Sequence, residues 1–337
     1  MKRFKTLIVL LGTVFILAGC GNSEVKKNDS KKSGVDLSSV TLNVGETGWG
    51  NIEAELKAAG LDKTPYKVNY SVFQGGNLCL DALTAGHIDF TGTSEIPPIF
   101  EAQSANKDKF KIIAVQQSNT LNQELVIPKG STIKNVADLK GKKVAYVSAT
   151  TAHYFLLKML QKAGLKWSDI QAEQLSVPDG LTALVSGKVD ALASYGNAIT
   201  AAHQNGATTL ASAKTILSGN FPYEASTSAI NDKAKRAAIV DYLSRLNKAF
   251  AWARKNQKAW AQITADNTHQ KLEDALSTIV DGDKLKITQL VPTSKSAIAS
   301  EQDIANVFLD AGLLKTKTDV STFWDDSFNS QIEKFSK

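Results

Sequence analysis

Ser148, Thr150 and Thr151 stand just before a stretch whose pattern predicts a helix from Ala152. Free backbone N–H groups at a helix start, together with the positive end of the helix dipole, favour an anion. The hydroxyls add neutral donors beside them. Asn77, Thr93 and Ser94 offer the same chemistry from an earlier part of the chain. Their ordinary structural use is helix capping. The turns that carry them, residues 45–51, 74–77, 92–98, 148–153, 177–180 and 194–198, contain no Lys or Arg. An anionic head bound there would be held by neutral donors.

Trp49, Tyr195 and Tyr223 could wall an organic tail, while Gly50, Gln74, Gly76 and Asn197 complete the candidate ligand-binding set. His153 could donate to an oxyanion or simply pack. Glu46 and Glu95 fit less well, because a carboxylate beside a bound anion is unfavourable unless it faces away, pairs or meets a cation. Both could receive an ammonium group on a zwitterionic ligand such as taurine; alternatively Glu95 caps the helix that Pro97 and Pro98 open. The four histidines, His87, His153, His203 and His269, form no metal-binding spacing. Neither a G-x-S-x-G elbow nor a Walker A loop occurs, nor a paired CxxC. No enzyme, cofactor or metal is expected.

These turns need elements to present them. Residues 80–90 lie over residues 181–191, sharing Leu, Ala, Leu, Gly and Asp at an offset of 101. Residues 57–61 parallel 161–165 at an offset of 104. Each segment reads strand, helix, strand, helix, strand. The first spans 41–44, 51–59, 66–73, 78–85 and 88–91, and the second 143–147, 152–163, 170–177, 180–186 and 189–193. Helices between strands imply βαβ crossovers and a largely parallel sheet in each half. Ligand-contacting turns belong at the carboxyl ends of such strands. Long helical patterns follow over 232–265, 300–311 and 320–335, where a lone Trp such as Trp252 or Trp260 reads as packing.

Met1 to Lys5 is basic and residues 6–18 are nearly all apolar, the pattern of a secretory signal too short for a comfortable membrane span. It ends at Leu17-Ala18-Gly19-Cys20, which resembles a bacterial lipobox with Cys20 lipidated. Residues 1–19 are thus a signal peptide, and 20–39 a lipidated Cys and polar tether. The expected location is the outer face of the cytoplasmic membrane. Removing Lys2, Arg3 and Lys5 lowers the charge excess from +6 to +3. With the basic residues dispersed, nucleic acid is not an expected partner. Cys79, flanked by Leu78 and Leu80, reads as a buried small hydrophobe.

Several segments resemble one family. They are Gln74-Gly75-Gly76-Asn77, the run 82–90, and Gly92-Thr93-Ser94-Glu95-Ile96-Pro97-Pro98-Ile99-Phe100, followed by Pro128-Lys129-Gly130-Ser131, the run 136–145, and 153–165. Over roughly residues 40–250 the chain resembles the sulfonate/nitrate/taurine substrate-binding proteins of ABC importers, and Pro97 to Phe100 points to the aliphatic-sulfonate branch. The resemblance implies an α/β, type II periplasmic-binding-protein fold, with two α/β lobes of mainly parallel sheets around a central cleft. Lobe 1 is expected over 40–118 and 224–337, lobe 2 over 123–217, with hinge crossings at 119–122 and 218–223. It also implies a non-catalytic monomer that captures a small organic anion, an aliphatic sulfonate such as taurine, and delivers it to a membrane permease. Where family members often carry Trp-Asp-Pro, this chain reads Tyr195-Gly196-Asn197. Nitrate, bicarbonate and thiamine precursors therefore stay open as ligands. So does a signalling or adhesion lipoprotein of the same fold.

Overall fold

The structure, a computed structural model, describes residues 35–336. The expected signal peptide, Cys20 and the expected tether up to residue 34 lie outside them. The first part of the chain runs β1 (Thr41–Thr47), α1 (Asn51–Ala58), β2 (Lys67–Phe73), α2 (Gly76–Thr84), β3 (Phe90–Gly92), α3 (Ile96–Glu101) and β4 (Phe110–Gln117). Next come β5 (Gln123–Ile127), β6 (Lys143–Tyr146), α4 (Thr151–Lys162), β7 (Gln171–Gln174), α5 (Val177–Val185), β8 (Ala191–Tyr195), α6 (Asn197–Gln204) and β9 (Thr208–Ser212). The chain ends with β10 (Asn220–Ser226), α7 (Thr227–Asn231), α8 (Lys233–Lys255), α9 (Gln257–Thr268), α10 (Leu272–Leu285), β11 (Gln289–Val291), α11 (Lys295–Asp310) and α12 (Asn329–Ile332). No helix among the described residues is long and apolar enough to cross a membrane.

Two sheets form, ordered β11-β4-β10-β3-β1-β2 and β7-β6-β8-β5-β9. The internal repeat is visible in both. Parallel trios β2-β1-β3 and β7-β6-β8 have the same order and direction. The repeated Leu-Ala-Leu…Gly…Asp string encodes a helix, its stop and a clamp. Gly86 and Gly187 end α2 and α5 in the left-handed conformation, at φ 82° and 68°. Asp89 then accepts from the Asn43 N–H at 2.9 Å, and Asp190 from the Lys143 N–H at 2.8 Å. Each Asp therefore ties the start of its third strand to the start of the first.

The α/β class holds, but both sheets are mixed. Antiparallel β10, β4 and β11 extend the first trio, and β5 and β9 extend the second. The cause is the crossing itself: β10 returns against the first trio and β5 arrives against the second, while β4 and β9 pair antiparallel with these two and so run with the trios. Apolar side chains fill both faces. On the first sheet, Leu42, Val44 and Phe90 pack with Tyr242 and Leu243 of α8. Its other face carries Leu80, Leu83, Ile99, Ile112 and Phe308. Phe155 and Leu156 of α4 cover one face of the second sheet, and Leu184 and Ile199 of α5 and α6 the other.

Three expected boundaries shift for local reasons. Ser176 accepts from the Asp179 N–H, and Pro178 occupies the first turn, so α5 begins at Val177 and residues 177–180 are helical. The helix expected over 232–265 breaks at Asn256 (φ −126°, ψ 38°) into α8 and α9. Residues 320–335 form a short 3-10 turn and α12, because Trp324 instead bridges to Ile112 at the sheet edge.

Candidate functional site

Two crossings join the sheets side by side. The chain leaves after Gln117 and returns at Asn220, and these two residues are paired in the sheet. The Ser118 N–H donates to the Gly219 carbonyl at 2.9 Å. A Cβ on Gly219 would sit 2.3 Å from the Ser118 carbonyl oxygen, and its φ is +75°, so only glycine fits. Beside these crossings a cavity of about 480 Å3 opens between the sheets. Gly76, Thr93, Ser94 and Tyr223 line it from the first sheet's side, and Thr150, Thr151, Tyr195 and Gly196 from the second's. The two sides also meet directly: the Cβ position of Gly75 lies 3.1 Å from the Tyr195 hydroxyl.

Three helices begin at this cavity: α2 at Gly76, α4 at Thr151 and α6 after Gly196. The first N–H groups of a helix have no acceptor within it. None of the three receives a side-chain cap. Thr150 could cap α4, but its hydroxyl donates to the Val147 carbonyl at 2.7 Å. Helices α5, α7, α8 and α11 are capped by Ser176, Ser226, Asp232 and Ser294, while α3, α9, α10 and α12 also lack a side-chain cap, so it is the convergence of α2, α4 and α6 on one cavity that sets them apart. Just before α4, Ala149 adopts φ +54°, a strained conformation for a residue with a Cβ. The buried Tyr195 hydroxyl has no hydrogen-bond partner among the described residues. Burial pushes its pKa up to about 12, so it remains a neutral donor. The assembly is an uncapped, donor-rich pole in a cleft, suited to an anion.

The family described as NMT1/THI5 like matches residues 53–259. The chain belongs to that family. A relative named for aliphatic sulfonate binding in Escherichia coli (strain K12) is 30% identical over 254 residues, covering 75% of this chain and 78% of the relative. The alkanesulfonate-binding protein SsuA from Xanthomonas axonopodis pv. citri, solved bound to MOPS, is 25% identical. It superposes with a TM-score of 0.76 over 85% of this chain and 98% of its own. The periplasmic-binding-protein fold expected from the sequence is thus the fold observed. The same fold also carries a different chemistry: the desulfurization enzyme DszB, 15% identical, matches with a TM-score of 0.61 over 87% of this chain and 99% of its own.

In this family member, the sequence-derived candidates divide in two. Gly76, Thr93, Ser94, Thr150, Thr151, Tyr195 and Tyr223 line the cavity. Asn77, though off the wall, stays close: its Oδ1 is buried without a partner and lies 2.7 Å from the same Gly75 Cβ position that neighbours Tyr195. Gly50 and Asn197 adjoin the lining residues Asn51 and Gly196, and Gln74 and Ser148 lie two positions from Gly76 and Thr150; none of the four reaches the wall. Trp49 stands behind it, its ring 5.8 Å from that of Trp260, and Trp260 is the one that lines the cavity.

His153 is packed rather than presented. Its ring lies 4.9 Å from those of Tyr146, Trp167 and Phe308. Burial pushes its pKa down to about 4, leaving it neutral. Both suspect carboxylates are occupied elsewhere. Glu46 accepts from the Ile52 and Glu53 N–H groups at 3.1 Å, capping α1. Glu95 does not cap α3 with its side chain. It accepts from the Ser218 hydroxyl and from Asn220 Nδ2 at 3.2 Å, pinning the return crossing.

The helical end of the cavity carries Glu55 on α1, Arg254 on α8 and Asp283 on α10, which the sequence reading passed over, and Trp260 on α9, which it took as packing. Each sits on an amphipathic helix, where nothing in the spacing separates a cavity-facing charge from a solvated one.

Proposed function

We propose that this protein is the extracytoplasmic solute-binding component of an ABC importer, taking a small organic anion, an aliphatic sulfonate first. The observation that carries this reading is the convergence of three uncapped helix starts, α2, α4 and α6, on one open cleft between two sheets. A sulfonate offers several oxygens to such donors without requiring a cation. The space, about 480 Å3, is far larger than nitrate needs, and Phe221, Phe250 and Trp260 on its wall suit an organic tail. The names of the family relatives point the same way.

The mechanism follows from the placement of the donors. Helix α2 belongs to one side and α4 and α6 to the other, so a single anion touching all three favours the closed arrangement. A ligand shifts such an equilibrium only by its differential affinity for the two states. The closed form then docks on the permease. Lipidation at Cys20 would hold the protein at the outer face of the cytoplasmic membrane, where that partner lies.

A thermal-shift screen of the full chain tests the reading. Ligand at a hundred times its Kd adds about 2.7 kcal/mol of stability, enough to raise Tm by several degrees. Ethanesulfonate and longer alkanesulfonates should produce the shift, and nitrate should not. A response to thiamine precursors alone would replace sulfonate as the ligand.

A further inference from the structure

We infer that the transported sulfonate also carries a protonated amine, and that the Glu55 carboxyl on α1 receives it in the same cavity. This rests on the sulfonate reading above. Glu55 is only 6% exposed, and it lines the cavity. Its carboxyl makes no hydrogen bond or ion pair with any described residue. Unlike the sealed, unpartnered oxygens of Glu224 and Glu301, those of Glu55 stay open to the cavity, where a ligand group can reach them.

The neighbours do not supply the missing partner. Arg254 is near enough to favour the carboxylate, but its guanidinium donates to the Thr288 carbonyl. Asp283, also on the wall, accepts from Gln257 Nε2 at 2.6 Å. Burial lifts the Glu55 pKa to about 8, so alone it is mostly neutral near pH 7. An ammonium group arriving from the ligand provides the opposite charge that lets it ionise in place.

The geometry is that of a two-pole site. The uncapped starts of α2, α4 and α6 form one pole, with no Lys or Arg among their lining residues. Glu55 forms the other, with Trp260 and Ile279 offering apolar surface to the carbon chain. Glu46 and Glu95, the other buried carboxylates considered for this role, are already committed to α1 and to the return crossing.

Isothermal titration calorimetry on the full chain tests this with matched pairs. Taurine is compared with ethanesulfonate, and 3-aminopropanesulfonate with propanesulfonate, on the native protein and on Glu55→Gln. The amine should improve affinity roughly tenfold to hundredfold, the range for a hydrogen bond to a charged group. Glu55→Gln should erase that advantage and leave the plain sulfonates unchanged. Equal affinity within each pair on the native protein overturns the inference while leaving the sulfonate reading intact. Equal weakening of both members by Glu55→Gln also overturns it, because the carboxyl would then be serving the sulfonate or the fold. If no sulfonate binds, both readings fall together. The native-protein comparison stands even if the variant does not fold.

Discussion

Tyr195→Phe removes one oxygen atom and should move affinity and stability in opposite directions. The hydroxyl is buried at the cavity with no partner among the described residues. Leaving a buried hydroxyl unpaired costs the ligand-free protein about 1–3 kcal/mol, part of which the phenyl ring restores. On the proposed function, the same hydroxyl would donate to a sulfonate oxygen when ligand is present. A hydrogen bond to a charged group contributes about 1.5–3 kcal/mol, so Kd should rise roughly tenfold to hundredfold. Calorimetry with ethanesulfonate measures the loss, and thermal unfolding without ligand measures stability. The account predicts weaker binding with an unchanged or higher Tm. Unchanged affinity, or a Tm that falls alongside it, would refute the assignment of this hydroxyl to the ligand.

Three further outcomes follow from other parts of the molecule. Thr150→Ala combined with Thr151→Ala should weaken sulfonate binding and abolish ligand-induced compaction in small-angle scattering, because closure depends on donors from the second sheet; undiminished compaction would contradict this. Gly219→Ala should destabilise the fold by about 1–3 kcal/mol in urea unfolding, since the residue has φ +75° and its Cβ would meet the Ser118 carbonyl. His153 is held neutral in the folded state while the unfolded chain takes up a proton near pH 6.5, so stability is intact above that pH and falls as pH drops toward 4. The interval from 6.5 to about 4 corresponds to roughly 3 kcal/mol. Acid unfolding of His153→Leu should lack that component, and superimposable pH profiles for the two proteins would argue against it.

Much of the frame was legible because the repeat encodes local physics. Leu-Ala-Leu, Gly86 or Gly187, and Asp89 or Asp190 specify a helix face, a left-handed stop and a strand clamp within about ten residues. That placed the turns at the strand ends, and with them Gly76, Thr93, Ser94, Thr150, Thr151 and Tyr195 on the cavity wall. The direction of the crossing strands was not legible, because antiparallel pairing of β4 with β10 joins residues about a hundred positions apart. The helical end of the cavity was hidden for a similar reason. The break at Asn256 and the packing of α9 on α10 turn Trp260 inward and make Trp49 its backing, and neither event has a sequence signature at residue 49 or 260. His153 illustrates a third limit. Its type and position at a helix start suit an oxyanion, yet four aromatic rings from both sides of the cleft enclose it.

The central claim is that the anion sits where three helices begin. A crystal structure of the full chain with an alkanesulfonate tests it most directly. The account predicts the sulfonate oxygens within hydrogen-bond distance of N–H groups at the starts of α2, α4 and α6, with the Tyr195 hydroxyl donating to one of them. A sulfonate held by Arg254 at the helical end, with those three helix starts untouched, would contradict it.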